Sequence, residues 1–176
     1  NNWDNIREKI EMANNPGKFV SFLAHEWHST HFGDYHIIYP DTDHEISYFN
    51  SLEKLQKYAR DTGAVIIPHH VAYKAGRRGI NWDYFDEEVS PVVEIFSEHG
   101  SSEVPGGAWP MISHSMGPES STQTVRHGLN MGNKFGFTAS TDNHRGFPGA
   151  YREGIMGLLS ESLTRSDIFS AINNRR

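Results

Sequence analysis

Four apolar stretches in this sequence each run into histidine or an acid, and no other feature limits the fold as much. Residues 19–24 lead to His25 and Glu26, residues 64–68 to His69 and His70, residues 92–96 to Glu98 and His99, and residues 135–139 to Asp142 and His144. The strand read over residues 18–27 is apolar on both parities, with Phe19 and Leu23 on one face and Val20, Phe22 and Ala24 on the other. Strands buried on both faces belong to parallel sheets covered by helices. Segments of helical periodicity separate the runs, so the chain reads as α/β with its polar residues gathered at the carboxyl ends of the strands.

The helices are marked by spacing and by stop signals. Trp3, Ile6, Ile10 and Ala13 recur at helical intervals over residues 2–14, and Asn15-Pro16-Gly17 ends that run. Tyr48, Leu52, Leu55 and Ala59 predict a second helix over residues 47–61, with Gly63 as its stop. A short helix is expected over residues 122–131. Thr164 followed three positions later by Asp167 is a capping pattern for a last helix over residues 165–173. Residues 33–39 and 154–159 read as further short strands, and the Gly-, Pro- and Ser-rich residues 101–121 as a long loop.

At 176 residues the chain suits one domain with a real core. A net charge of -6 argues against a partner held by a basic surface, so no nucleic acid is expected and a small molecule is. No apolar run is long enough to span a bilayer, and no membrane partner is expected. The absence of cysteine excludes thiolate zinc sites and disulfides while leaving the compartment open. Histidine, at 11 residues, is the unusual count. The first residue is Asn, which suggests a piece cut from something longer.

In an extended segment, Gly136, Thr138, Ser140, Asp142 and His144 share one side while Phe135, Phe137 and Ala139 take the other. An acid and an imidazole directed the same way at a strand end suit a divalent metal, and the other strand ends offer Glu26, His36, His69, His70, Glu98 and His99. Imidazole and carboxylate without thiolate suit zinc, manganese or iron in a centre of two or three ions. Each residue has a plainer use as well: a buried histidine is often a hydrogen-bonded core residue, and Asp142 could cap a turn. His44, His114 and His127 lie off the strand ends and read as surface residues. Lys74, Arg77 and Arg78 read as a solvated face, with phosphate recognition as the alternative. His25-Glu26-Trp27-His28 is one residue short of the helical zinc-protease motif and stands at a strand end, so it is set aside.

Several of these stretches resemble the PHP (polymerase and histidinol phosphatase) superfamily, in particular its DUF3604 branch. The resemblance rests on Phe22-Leu23-Ala24-His25-Glu26-Trp27, His36-Ile37-Ile38, Ile67-Pro68-His69-His70, Glu94-Ile95-Phe96-Ser97-Glu98-His99-Gly100, and Ser140-Thr141-Asp142-Asn143-His144-Arg145-Gly146-Phe147-Pro148-Gly149. It implies a partial or distorted (β/α)7 barrel of mainly parallel strands, with a multinuclear metal centre that activates water against a phosphorylated small molecule. By that resemblance Glu26 is the bridging carboxylate, His36 and His69 are ligands, and Asp142 with His144 closes the metal set. His70, His99 and Arg145 would orient substrate or protonate the leaving group. The family opens with an H-x-H pair on its first strand, and this sequence contains none. The chain is therefore expected to be the C-terminal portion of a longer barrel, weak or inactive until the preceding segment or a partner chain completes the site. The competing expectations are a degenerate module kept for binding or domain contact, and a related hydrolase of non-phosphate bonds.

Overall fold

Thr30, His31 and Phe32 are all that separate β1 (Ala24–Ser29) from β2 (Gly33–Ile38), and so short a link forces the two strands antiparallel. The computed structural model describes residues 2–113 and 115–176. In it β3 (Val65–His69) also pairs antiparallel with β2, giving a sheet of order β1-β2-β3. A second sheet has the order β5-β4-β6 and is built from β4 (Val92–Ser97), β5 (Gly100–Ser101) and β6 (Gly136–Ala139). Of its pairings, β4 with β5 is antiparallel, and β4 with β6 is parallel over a crossover that contains α3 (Val125–Asn130).

These two small open sheets replace the expected barrel of mainly parallel strands. Parallel neighbours need a crossover of a dozen residues or more, whereas β1–β2 and β4–β5 are joined by tight turns. Residues 154–159, expected as a strand, lie in no strand. The first strand also begins later than expected. Its residues alternate between exposed and half-buried, because it forms one edge of its sheet and is not covered on both faces.

The helices follow their spacing more closely. α1 (Asn2–Ala13) and α4 (Arg165–Asn173) lie where the pattern put them, and Thr164 caps α4 by accepting the Asp167 N–H. α2 (Leu52–Thr62) starts later than its apolar stripe suggested, because Ser51 is extended and its hydroxyl accepts from the Lys54 N–H. Tyr48 is consequently left outside the helix and exposed. Leu52, Leu55 and Ala59 of α2 pack in one cluster with Tyr35 and Ile37 from one face of β2 and with Tyr39 just beyond it. Full burial of each leucine contributes about 2 kcal/mol, so Leu55→Ala would cost at least that. A second cluster joins Trp82, in a single 3₁₀ turn (Trp82–Tyr84), to Phe135, whose ring stacks on it at 5.5 Å.

With the odd-numbered residues of β2 committed to α2, its even-numbered residues Asp34 and His36 are turned to the opposite face.

Candidate metal centre

Register carries these polar residues together. Glu26 stands opposite His36, His36 opposite Ile67, and Asp34 opposite His69. Directly opposed residues project from the same side of a sheet, so Glu26, Asp34, His36 and His69 share one face although they come from three strands. β4 lies beside β3 and brings Glu94 to that face. Asp142 arrives from the turn after β6.

Three groups of side chains offer nitrogen and oxygen atoms within 4.8 Å of one another: Glu26 with His69 and His70, His36 with His69 and Glu94, and Glu98 with Asp142 and His144. His69 belongs to the first two and is in ion-pair contact with the third. Its Nδ1 lies 2.8 Å from Glu94 Oε1 and its Nε2 lies 3.2 Å from Asp142 Oδ2. The same Asp142 oxygen is 2.8 Å from His99 Nε2. The His36 ring packs on His69 at 4.1 Å, and His70 at 3.9 Å. Glu94 is fixed on both oxygens, since Oε1 also accepts the His70 N–H (3.1 Å) and Oε2 accepts the Ser140 hydroxyl (3.0 Å).

Two residues of the cluster have positive φ without being glycine, His70 (33°) and Asp142 (52°). Such backbone is uncommon outside glycine, though aspartate and histidine adopt it more readily than most, and it persists where surrounding contacts over-determine it. At His70 the contact is the bond from its N–H to Glu94. At Asp142 the turn breaks the strand alternation, so Asp142 faces inward to His69 and His99 while His144 is exposed on Glu98, with Nδ1 3.1 Å from Oε1. Beyond β6, which ends at Ala139, Asp142 and His144 differ in direction yet stay within reach of one another across Glu98.

Charge follows these contacts. Burial disfavours a charged His69, but the neighbouring Glu94 and Asp142 carboxylates outweigh it and raise its pKa to about 10. Burial, reinforced by the charge on His69, holds His36 down at about 4 and His70 at about 2. Asp142 is held well below the carboxylate range: burial opposes ionisation, but hydrogen bonds from His69 and His99 prevail. Asp34 is raised to about 7 by burial, against the pull of the Arg78 guanidinium. His144 is raised by its hydrogen bond to Glu98.

The residues fit a divalent cation. Nitrogen and carboxylate oxygen are the donors that zinc, manganese and iron accept. A ligand histidine commonly hands its second nitrogen to a carboxylate, as His69 does to Glu94. Among the described residues, His70 Nδ1 and Asp34 Oδ1 are buried with no hydrogen-bond partner.

Of the residues expected from sequence, Glu26, His36, His69 and Asp142 lie in or against this connected cluster, and His70 and His99 adjoin it. His144 sits at its outer edge. Arg145 is exposed beyond it, its backbone N–H donating to Asn143 Oδ1. His44 is half-buried and stacked on Tyr39 at 4.5 Å, since the Trp3 indole N–H ties its carbonyl to the core, and His127 is half-buried in α3. His114 lies outside the described residues. Sequence reasoning passed over Glu94, Asp34 and Ser140. Glu94 had a signal, an acid in the middle of the apolar run Val92-Val93-Glu94-Ile95-Phe96. Asp34 had none, because its burial depends on a loop distant in sequence. Comparison of the chain with protein-family models, curated proteins and solved structures found no match.

Proposed function

We propose that this chain carries the centre of a metal-dependent hydrolase acting on phosphate esters. The observation that carries the reading is the buried His69, held at one nitrogen by Glu94 and at the other by Asp142, with His36, His70 and Glu26 grouped around it. The resemblance of the Ile67-Pro68-His69-His70 and Ser140–Gly149 stretches to PHP phosphoesterases supports phosphate as the electrophile, independently of the barrel that the chain does not form. Glu26, His36, His69, Asp142 and His144 would hold zinc, manganese or iron.

Bound there, such ions supply Lewis acidity that activates water near neutral pH and offsets the charge of phosphoryl oxygens. The chain's own residues do the rest. Glu94 orients the His69 ring through Nδ1 and leaves Nε2 for coordination. Ser140 holds the second Glu94 oxygen and so fixes the carboxylate plane. His99, half-buried with Nε2 on Asp142, is placed to hold a proton at the rim and deliver it to a leaving oxygen.

One observation favours the second reading, a non-catalytic module. Both ring nitrogens of His69 already face carboxylates, so the network satisfies its own charges. Metal titration separates the two. Under the hydrolase reading, manganese or zinc binds with micromolar or tighter affinity, raises the melting temperature and supports turnover of p-nitrophenyl phosphate, slow in this chain alone. No binding and no melting shift would sink it, and tight binding with no hydrolysis by this chain or by a longer version of it would favour the module.

A further inference from the structure

Gly33 and Gly79 put two stretches of backbone in direct contact. Gly33 has φ +95°, and a Cβ there would lie 2.9 Å from the Ile80 Cα and 3.1 Å from the Gly79 carbonyl carbon. A Cβ on Gly79 would lie 1.5 Å from the Tyr73 carbonyl oxygen. The Asn81 N–H donates to the Phe32 carbonyl (3.2 Å), closing the same contact. The loop after β3 is thereby pressed onto the start of β2, and the residue delivered to the cluster is Arg78. Its Nε donates to Asp34 Oδ2 (2.5 Å), and its Nη2 lies 3.5 Å from Glu26 Oε1. Asp34 Oδ2 also faces His70 Nε2 at 3.2 Å.

We propose that Arg78, anchored by Asp34, is the positioning residue that grips the anionic oxygens of the substrate beside Glu26, His69 and His70. The inference rests on the hydrolase reading above and adds the residue that selects a tetrahedral oxyanion. Three features carry it. The guanidinium is the basic group held at the cluster, whereas Lys74, Arg77 and Arg145 are exposed. It is anchored through Nε and its side chain is 28% exposed, so part of the fork reaches solvent while its direction is fixed. Its weaker contact is with Glu26, the carboxylate that a cation would claim. Once that carboxylate is engaged elsewhere, the donor at Nη2 is released in place, still tethered by Asp34. An arginine so fixed offers the paired N–H geometry that phosphoryl oxygens accept, and lysine does not.

The alternative role for Arg78 is that of a counterion to the buried Asp34. The test is calorimetric titration of inorganic phosphate into the manganese-loaded chain, for the wild type, Arg78→Gln and Arg78→Lys, with manganese affinity measured first. We expect Arg78→Gln to keep or tighten manganese binding, since Glu26 loses a competing cation, and to weaken phosphate about tenfold or more. Arg78→Lys should recover only part of that loss. If Arg78→Gln does not fold, because Asp34 is left buried without its partner, Arg78→Gln combined with Asp34→Asn removes both charges and is expected to show the same phosphate loss. Wild-type phosphate affinity in a variant that still binds manganese would overturn the inference and leave the hydrolase reading standing. Failure of the wild type to bind manganese would overturn the hydrolase reading, and this inference with it.

Discussion

Oε1 of Glu94 lies 2.8 Å from Nδ1 of His69, both side chains almost wholly buried, and the same oxygen accepts the His70 N–H. A buried ion pair is weak evidence of net stabilisation, but removing one partner leaves the other charged and unsolvated.

Glu94→Gln should therefore destabilise the metal-free protein by roughly 3 kcal/mol at neutral pH. With its oxygen toward His69, the amide NH2 can still donate to the Ser140 hydroxyl, so what is lost is the charge opposite His69. The pH profile carries a second signature. His69 has its folded pKa raised from 6.5 to about 10, so its contribution is complete below about 6.5 and disappears as pH rises through about 10. Urea unfolding of the wild type should show stability falling across that window, and Glu94→Gln should flatten the fall. A variant with the wild-type slope would place the raised pKa elsewhere.

Metal binding should release at least one proton near neutral pH, because a ligand histidine must be neutral while His69 is charged there and His144 is raised by its bond to Glu98. His36 and His70 are already neutral there, with pKa values of about 4 and about 2. Affinity for manganese or zinc should rise with pH up to about 10, the His69 value. Calorimetry in buffers of different ionisation enthalpy counts the proton directly, and zero release would mean that His69 does not coordinate.

Asp142→Asn should shrink the metal-induced rise in melting temperature and, in the metal-free protein, cost about 1–3 kcal/mol, since Oδ2 serves both His69 and His99. The positive φ at Asp142 is not the reason, because asparagine tolerates it as well. If Asp142 merely capped its turn, thermal melts with and without metal would show the same shift in both proteins.

Gly79→Ala should destabilise by about 3 kcal/mol, the top of the usual range of roughly 1–3 kcal/mol for overpacking, since the added carbon would overlap the Tyr73 carbonyl. The exposed Gly76, which has φ +77° but open space around it, is the control: its alanine variant should cost less. Gly79 has no positive φ, so a loss there no larger than that at Gly76 would show that the close approach to Tyr73 costs little.

How much could be read from the chain alone differs by level. α1, β3, β4 and α4 were legible because each has a helical period or an apolar run, broken in β4 only by Glu94. Glu26, His36, His69 and Asp142 were expected as strand-end polar residues; the structure groups them, but Glu26 and His36 lie within β1 and β2, and only His69 ends its strand. The barrel was misread because helix–strand alternation was allowed to outweigh turn length, although the few residues between Ser29 and Gly33 already forbade a parallel crossover. Arg78 was misread as a solvated face because nothing local to it announces Asp34, which is brought there by the Gly33–Gly79 contact.

The hairpin of β1 and β2 has a consequence for the order in which the centre assembles. Glu26 and His36 are cross-strand partners within one tight hairpin, and such units close in about 1–10 μs. Asp142 must wait for a loop of far greater length to close, at a higher entropic cost. Two donors are thus in place early in every folding attempt while Asp142, which helps balance His69, comes late. Manganese present during refolding would meet a half-built site, and should speed refolding by bridging the hairpin to the incoming turn.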